Sequence, residues 1–79
     1  MPILYNEPEV LQVVDELNRA MKQHGPMRSP HEGWAVLYEE VDELWDEVRA
    51  KEHDLEKMKK EARQAAAMAL RFMIEVCRR

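Results

Sequence analysis

The residues that break helices are confined to a few places, and those places divide the chain into three stretches of helical periodicity. Gly25 and Gly33 are the only glycines, and the prolines fall at Pro2, Pro8, Pro26 and Pro30. Between these marks apolar residues recur at intervals of three and four, the spacing of one face of an α-helix. No stretch alternates with the period of a strand, and no repeat or low-complexity segment occurs. The expected fold class is therefore all-α: three helices, about 7–24, 30–52 and 55–78, forming one domain over residues 1–79.

Each boundary has a chemical signal. Asn6 is placed to cap the first helix, with Pro8 tolerated in its first turn. Val10, Val13, Val14, Leu17 and Met21 share a face, and Gly25-Pro26 supplies a stop. Ser29-Pro30-His31-Glu32 has the form of a capping box with Pro at the first helical position. The stripe that follows is Trp34, Leu37, Tyr38, Val41, Leu44, Trp45 and Val48. His53-Asp54 interrupts it, and Asp54 can cap the third helix, with Glu56 in its first turn. That helix places Leu55, Met58, Ala62, Ala65, Ala66, Ala69, Phe72, Met73 and Val76 on one face. The short connections favour antiparallel neighbours, so the expected centre is a long helical hairpin made by the second and third helices.

Length adds a constraint. Seventy-nine residues bury a modest share of their surface, and a core of this size is marginal without a disulfide, a metal or a partner subunit. Cys77 is the sole cysteine, which excludes an internal disulfide and suits a reducing compartment. A homodimer or homotetramer that completes a helical bundle is the expected stabiliser. The opening residues do not have the form of a signal peptide, and no apolar run approaches the ~20 residues of a membrane span. The expected location is cytoplasmic, without a membrane partner. A net charge of −4 argues against a nucleic-acid ligand, whose phosphates demand basic surface.

The acidic residues are concentrated. Six of the nine residues from Glu39 to Glu47 are Asp or Glu. Glu40 and Glu43 share one side of the second helix, about 90–160° round from the centre of its apolar stripe. Glu61 and Gln64 stand at a similar angle on the third helix. In an antiparallel pair, matching angles fall on the same side, so the two rows converge. Heights agree too, because Glu43 and Gln64 are each roughly 16 Å from the connecting turn at 1.5 Å per residue. Glu39–Glu43, Glu43–Glu47 and Asp42–Asp46 are like-charge i,i+4 pairs, each costing a few tenths of a kcal/mol. A solvated face would alternate sign, whereas a divalent cation with a taste for hard oxygen ligands would relieve the repulsion.

The stretch EEVDELWDEV, followed by EARQAAAMALRF about 20 residues on, resembles the MazG-like nucleotide pyrophosphohydrolases over roughly residues 29–76. The family pattern is ExxE on one helix and ExxD on the next. Glu40-Val41-Asp42-Glu43 matches the first half; Glu61 opens the second, and Gln64 stands where the family has Asp. The resemblance implies that Glu40, Glu43 and Glu61 are catalytic carboxylates holding Mg²⁺ (or Mn²⁺), with Gln64 as a fourth, neutral ligand. It also implies cleavage of a nucleoside triphosphate to the monophosphate and pyrophosphate. The alternative that follows from Gln64 is a nucleotide-binding or oligomerising module with weakened turnover. The family often has a fourth helix beyond the third, and here those contacts would come from another subunit.

Other residues carry weaker signals. Lys57, Lys60 and Arg63 are candidates to approach phosphates, although exposed helix basics are usually only solvated. Trp34, Tyr38 and Trp45 are placed chiefly for core or dimer packing, with Trp34 kept as a candidate to stack on a base. His24, His31 and His53 sit at helix ends and share no metal-binding spacing. Cys77 has no identifiable partner for nucleophilic catalysis.

Overall fold

The computed structural model describes residues 2–78. It contains α1 (Pro8–Gln23), α2 (Pro30–Val48) and α3 (Leu55–Glu75), and no strand forms among the described residues. The chain is all-helical, as its periodicity predicts. No helix is long and apolar enough to cross a membrane.

The caps explain where two helices begin. Ser29 Oγ accepts a hydrogen bond from the Glu32 amide at 3.1 Å, while the Glu32 side chain lines the cleft described below. Asp54 Oδ1 accepts from the amides of Glu56 and Lys57, at 3.0 and 3.2 Å. Each bond satisfies a donor that the first turn leaves free. The first helix departs from expectation at both ends. Its N-cap is Glu7 rather than Asn6, and no side chain caps it. It ends at His24, which is already extended, with φ −126° and ψ 148°. Gly25 does not take a left-handed conformation; its carbonyl instead accepts from Arg71 Nη2 at 2.6 Å.

The second helix stops at Val48, four residues short of the expected end at position 52. Beyond Val48 the sequence Arg49-Ala50-Lys51-Glu52 offers no large apolar side chain to pack, and packing supplies most helical stability in proteins. The freed carbonyl of Val48 lies 2.9 Å from His53 Nε2, so the turn residue closes the helix end.

The third helix is the centre of the molecule. α2 and α1 both pack on α3 and do not pack on each other. α2 runs antiparallel to α3: Gly33, near its start, meets Phe72 near the end of α3, and Glu40 and Glu43 meet Glu61. α1 runs parallel to α3, since Glu9–Lys59, Glu16–Arg63, Gly25–Arg71 and Met27–Glu75 follow one another along both chains. The expectation of antiparallel neighbours thus holds for α2 with α3 and fails for α1 with α2. Residues 24–29 are extended enough to carry the chain across the width of α3.

Two contacts fix this arrangement. A Cβ added to Gly33 would lie 2.6 Å from Phe72 Cδ2, so the absence of a side chain lets α2 approach the ring closely. The connecting loop is held by a buried ion pair. Arg71, 4% exposed, donates to Glu75 Oε1 at 2.9 Å and to the Gly25 carbonyl. Glu75 Oε1 also accepts from the amide of Met27 at 2.9 Å. Met27 itself is fully buried beneath the loop.

The core is small. Leu17, Ala20, Met27, Ala67, Met68 and Val76 are the buried apolar residues, with Val13, Val36, Leu37, Leu70, Phe72 and Ile74 packed around them. Ala67 and Met68 lie off the stripe expected for α3, because that helix is covered on two sides rather than one. On α2 only part of the expected stripe turns inward. Leu37 and Leu44 are half-buried, whereas Trp34, Tyr38, Val41, Trp45 and Val48 stay open.

Candidate metal centre and cleft

Glu40 and Glu43 are one helical turn apart on α2, and Glu61 reaches them from α3. One carboxylate oxygen from each lies within 4.8 Å of the others. The antiparallel packing of the two helices produces this convergence, since it turns the inner edges of both acidic rows to the same side.

The electrostatics are unfavourable for bare carboxylates. Burial is the first cause that raises the Glu40 pKa, from an ordinary 4.5 to about 7; the charges of Glu43, Glu61 and Glu39 add to it. The Glu61 carboxyl is also pushed up, by burial first and then by its contact with Glu43, with Lys60 acting in the opposite direction. Glu40 Oε2 and Glu61 Oε2 are buried without a hydrogen-bond partner. An unpartnered buried carboxylate oxygen is costly, and two of them facing a third acid form an oxygen-rich donor set. Hard divalent cations such as Mg²⁺ and Mn²⁺ take such oxygens. The residues present therefore fit a metal of that class.

Beside the acids runs a cleft of about 880 Å³, within the range typical of small-molecule sites. α3 forms its floor, α1 and α2 its walls, and the loop after α1 closes one end. Glu40 and Gln64 both line it, while Glu43 and Glu61 do not, so the acidic cluster meets this space through Glu40. The rest of the lining mixes basic and acidic side chains: Arg19 and Glu16 on α1, Arg28 on the loop, Glu32 and Glu39 on α2, and Lys60 and Arg71 on α3, with His24 among them. Arg71 is committed to Glu75 and Gly25, and Arg19 forms an ion pair with Glu16.

The expected site residues divide clearly. Glu40, Glu43 and Glu61 are brought together, and Gln64 and Lys60 line the same cleft. Arg63 points elsewhere: its Nε lies 3.9 Å from Glu16 on α1, beside a separate, smaller pocket. Lys57 is exposed in the first turn of α3 and is not among the cleft residues. Trp34 is 58% exposed, its ring 5.8 Å from that of Tyr38, and it too is outside the cleft. Lys57, Arg63 and Trp34 therefore have no place in the cleft. Sequence reasoning did not place Arg19, His24 and Arg28 in a cleft. Their position depends on which side of α3 receives α1, and the only available signal was the run of basic and polar residues around the loop.

Comparison with family models, curated proteins and solved structures finds no match in any of the three.

Proposed function

We propose that this chain is a Mg²⁺-dependent nucleoside triphosphate pyrophosphohydrolase of the MazG-like kind, working in the cleft between α1 and α2. One observation carries the reading: Glu40, Glu43 and Glu61 converge from two helices, with buried, unpartnered oxygens on Glu40 and Glu61, at the edge of a cleft lined by both acidic and basic side chains. The reaction adds water to the α-phosphorus of a nucleoside triphosphate and breaks its bond to the bridging oxygen, leaving a nucleoside monophosphate and pyrophosphate.

Glu40, Glu43 and Glu61 would hold the metal, which when bound neutralises phosphate charge and makes water a stronger nucleophile. Arg28 on the loop and Lys60 on the floor of the cleft are suited to draw in and orient the anionic polyphosphate. The Gln64 amide can orient a polar group in the cleft but carries no charge and takes up no proton near neutrality. This last feature favours a second reading, a cleft of the same kind that binds nucleotide and metal with weak turnover.

The test is pyrophosphate release from a panel of ribo- and deoxynucleoside triphosphates with Mg²⁺ or Mn²⁺, comparing wild type with Glu43→Ala. Metal-dependent release that disappears in the variant supports the enzyme. No release, together with metal-dependent nucleotide binding that Glu43→Ala abolishes, supports the second reading. If neither is found in folded protein, both readings are overturned.

A further inference from the structure

The cleft has three levels, set by the heights at which the helices face one another. On the antiparallel pair, Gly33 meets Phe72 and Glu40 meets Glu61. Val36 of α2 therefore lies level with Met68 of α3, and Glu40 lies near the level of Gln64. On the parallel pair, Glu16 meets Arg63 and Gly25 meets Arg71, which brings Ala20 of α1 to the level of Met68. The level nearer the α2–α3 turn holds Glu40 and Gln64. The middle level is apolar: Ala20 and Met68 are buried, and Val36 packs against the same core. The third level, closed by the loop after α1, holds Glu32 of α2 and Arg71 of α3.

Glu32 has no use for its carboxylate within the protein. Its backbone amide donates to Ser29, but among the described residues no donor reaches the side chain, which lines the cleft instead. Arg71, on the same level, is committed to Glu75 and to the Gly25 carbonyl. Glu32, Val36 and Glu40 follow one another at intervals of four along one side of α2. The two carboxylates are therefore roughly 12 Å apart along the axis at 1.5 Å per residue, with the apolar level midway between them.

We propose that the middle and loop-end levels form a base subsite that takes guanine, with the ring over Val36 and Met68 and its hydrogen-bonding edge on the Glu32 carboxylate. The assignment rests on the acids holding the phosphates, as proposed above. With the α-phosphate at Glu40, the nucleoside runs either towards the loop or towards the α2–α3 turn. Towards the loop it crosses the apolar level, which the face of a base can cover and a polyphosphate cannot without losing its hydration. In the other direction Lys60, one turn beyond Gln64, suits the departing pyrophosphate. The separation of Glu32 from Glu40 matches the reach from an α-phosphate to the far edge of an extended purine nucleoside. Arg28, exposed on the loop, attracts the incoming polyanion before its phosphates settle at Glu40 and Lys60.

The choice of base follows from what a carboxylate can do. It only accepts hydrogen bonds. Guanine presents two adjacent donors, the ring N–H and the exocyclic amino group, which the two carboxylate oxygens can meet together, as in other bidentate charged contacts. Adenine and cytosine offer an amino group beside a ring nitrogen whose lone pair repels the charge. Uracil and thymine offer one N–H flanked by two carbonyl oxygens.

The test is calorimetry on the full chain with Mg²⁺. The ligands are nucleoside monophosphates, which the proposed reaction leaves intact, and inorganic tripolyphosphate as a base-free probe of the phosphate end. GMP should bind at least about tenfold more tightly than AMP, CMP or UMP. IMP, which lacks only the exocyclic amino group, should fall between. Glu32→Gln, which keeps the size of the side chain and breaks no contact within the protein, should retain helical circular dichroism and lose the preference for GMP, with tripolyphosphate binding unchanged. Tripolyphosphate binding that Glu43→Ala abolishes, together with equal affinities for the monophosphates, would overturn the base subsite and leave the phosphate centre standing. So would IMP binding as tightly as GMP, or a GMP preference that survives Glu32→Gln. Binding of none of these ligands to folded protein would remove the phosphate centre, and the base subsite with it.

Discussion

Replacing Glu40 by Gln should stabilise the metal-free chain at pH 8 and remove its response to Mg²⁺. Glu40 is held in the folded chain with its pKa raised from 4.5 to about 7, chiefly by burial and then by Glu43. For an acid raised in this way the protonated form favours folding. The associated stability is therefore fully present below about pH 4.5, is lost as pH rises towards 7, and stays lost above it. A full displacement of that size corresponds to roughly 3 kcal/mol at 1.36 kcal/mol per pKa unit. Glu40 is only half-buried, so solvent screening reduces the expected effect to about 1–2 kcal/mol.

The assay is urea denaturation at fixed protein concentration in the presence of EDTA, at pH 5 and pH 8, for wild type and Glu40→Gln. Fixing the concentration matters, because association would add its own stability. The variant should exceed wild type by about 1–2 kcal/mol at pH 8, and the gap should narrow at pH 5, where Glu40 is already largely protonated. On adding Mg²⁺, wild type should regain stability, by about 1.4 kcal/mol at ten times the Kd, while Glu40→Gln should gain little. Equal stabilities at pH 8, or a gap that does not change between the two pH values, would refute the picture of three crowded carboxylates.

Gln64→Asp should tighten Mg²⁺ binding, by an amount that calorimetry can measure, because it adds a charged oxygen ligand to the same cleft; unchanged affinity would separate Gln64 from the metal centre. Arg71→Met should cost more than about 1 kcal/mol in denaturant, the ceiling for an exposed pair, because it removes buried hydrogen bonds to Glu75 and to the Gly25 carbonyl; a smaller loss would match an exposed pair instead. Gly33→Leu should destabilise by at least about 1–3 kcal/mol, because its side chain would overlap the Phe72 ring, and a neutral result would show that the α2–α3 contact gives way easily.

The caps of α2 and α3 and the carboxylates were legible in the sequence because they depend on local rules, whereas the cap expected at Asn6 does not form. Ser29 and Asp54 act on amides two or three residues away, so no knowledge of the fold is needed to place them. Glu40, Glu43 and Glu61 converge for only slightly less local reasons: helical periodicity, plus one short turn that forces α2 against α3. The position of α1 was not legible. Its apolar face would pack equally well on either neighbour, and the choice of α3 is sealed by Arg71 and Glu75, whose partners are backbone groups of Gly25 and Met27. Backbone carbonyls and amides leave no mark in a sequence. With α1 unplaced, the cleft was unplaced too, and with it the presence of Arg19, His24 and Arg28 among its lining residues and the absence of Arg63 and Lys57.

The apolar stripes were legible as stripes, and the core or dimer packing expected of Trp34, Tyr38 and Trp45 does not occur within the protomer, where all three stay exposed. Within the protomer α3 covers only the edge marked by Leu37 and Leu44. The remaining edge carries Trp34, Tyr38 and Trp45, the costliest side chains to leave in water. The same helix thus carries two surfaces of different chemistry. The acids at its inner edge turn towards α3 and the cleft, and the aromatic ridge stands about 120–160° away round the helix axis, so a change on the ridge that leaves the helix intact leaves the carboxylates where they are.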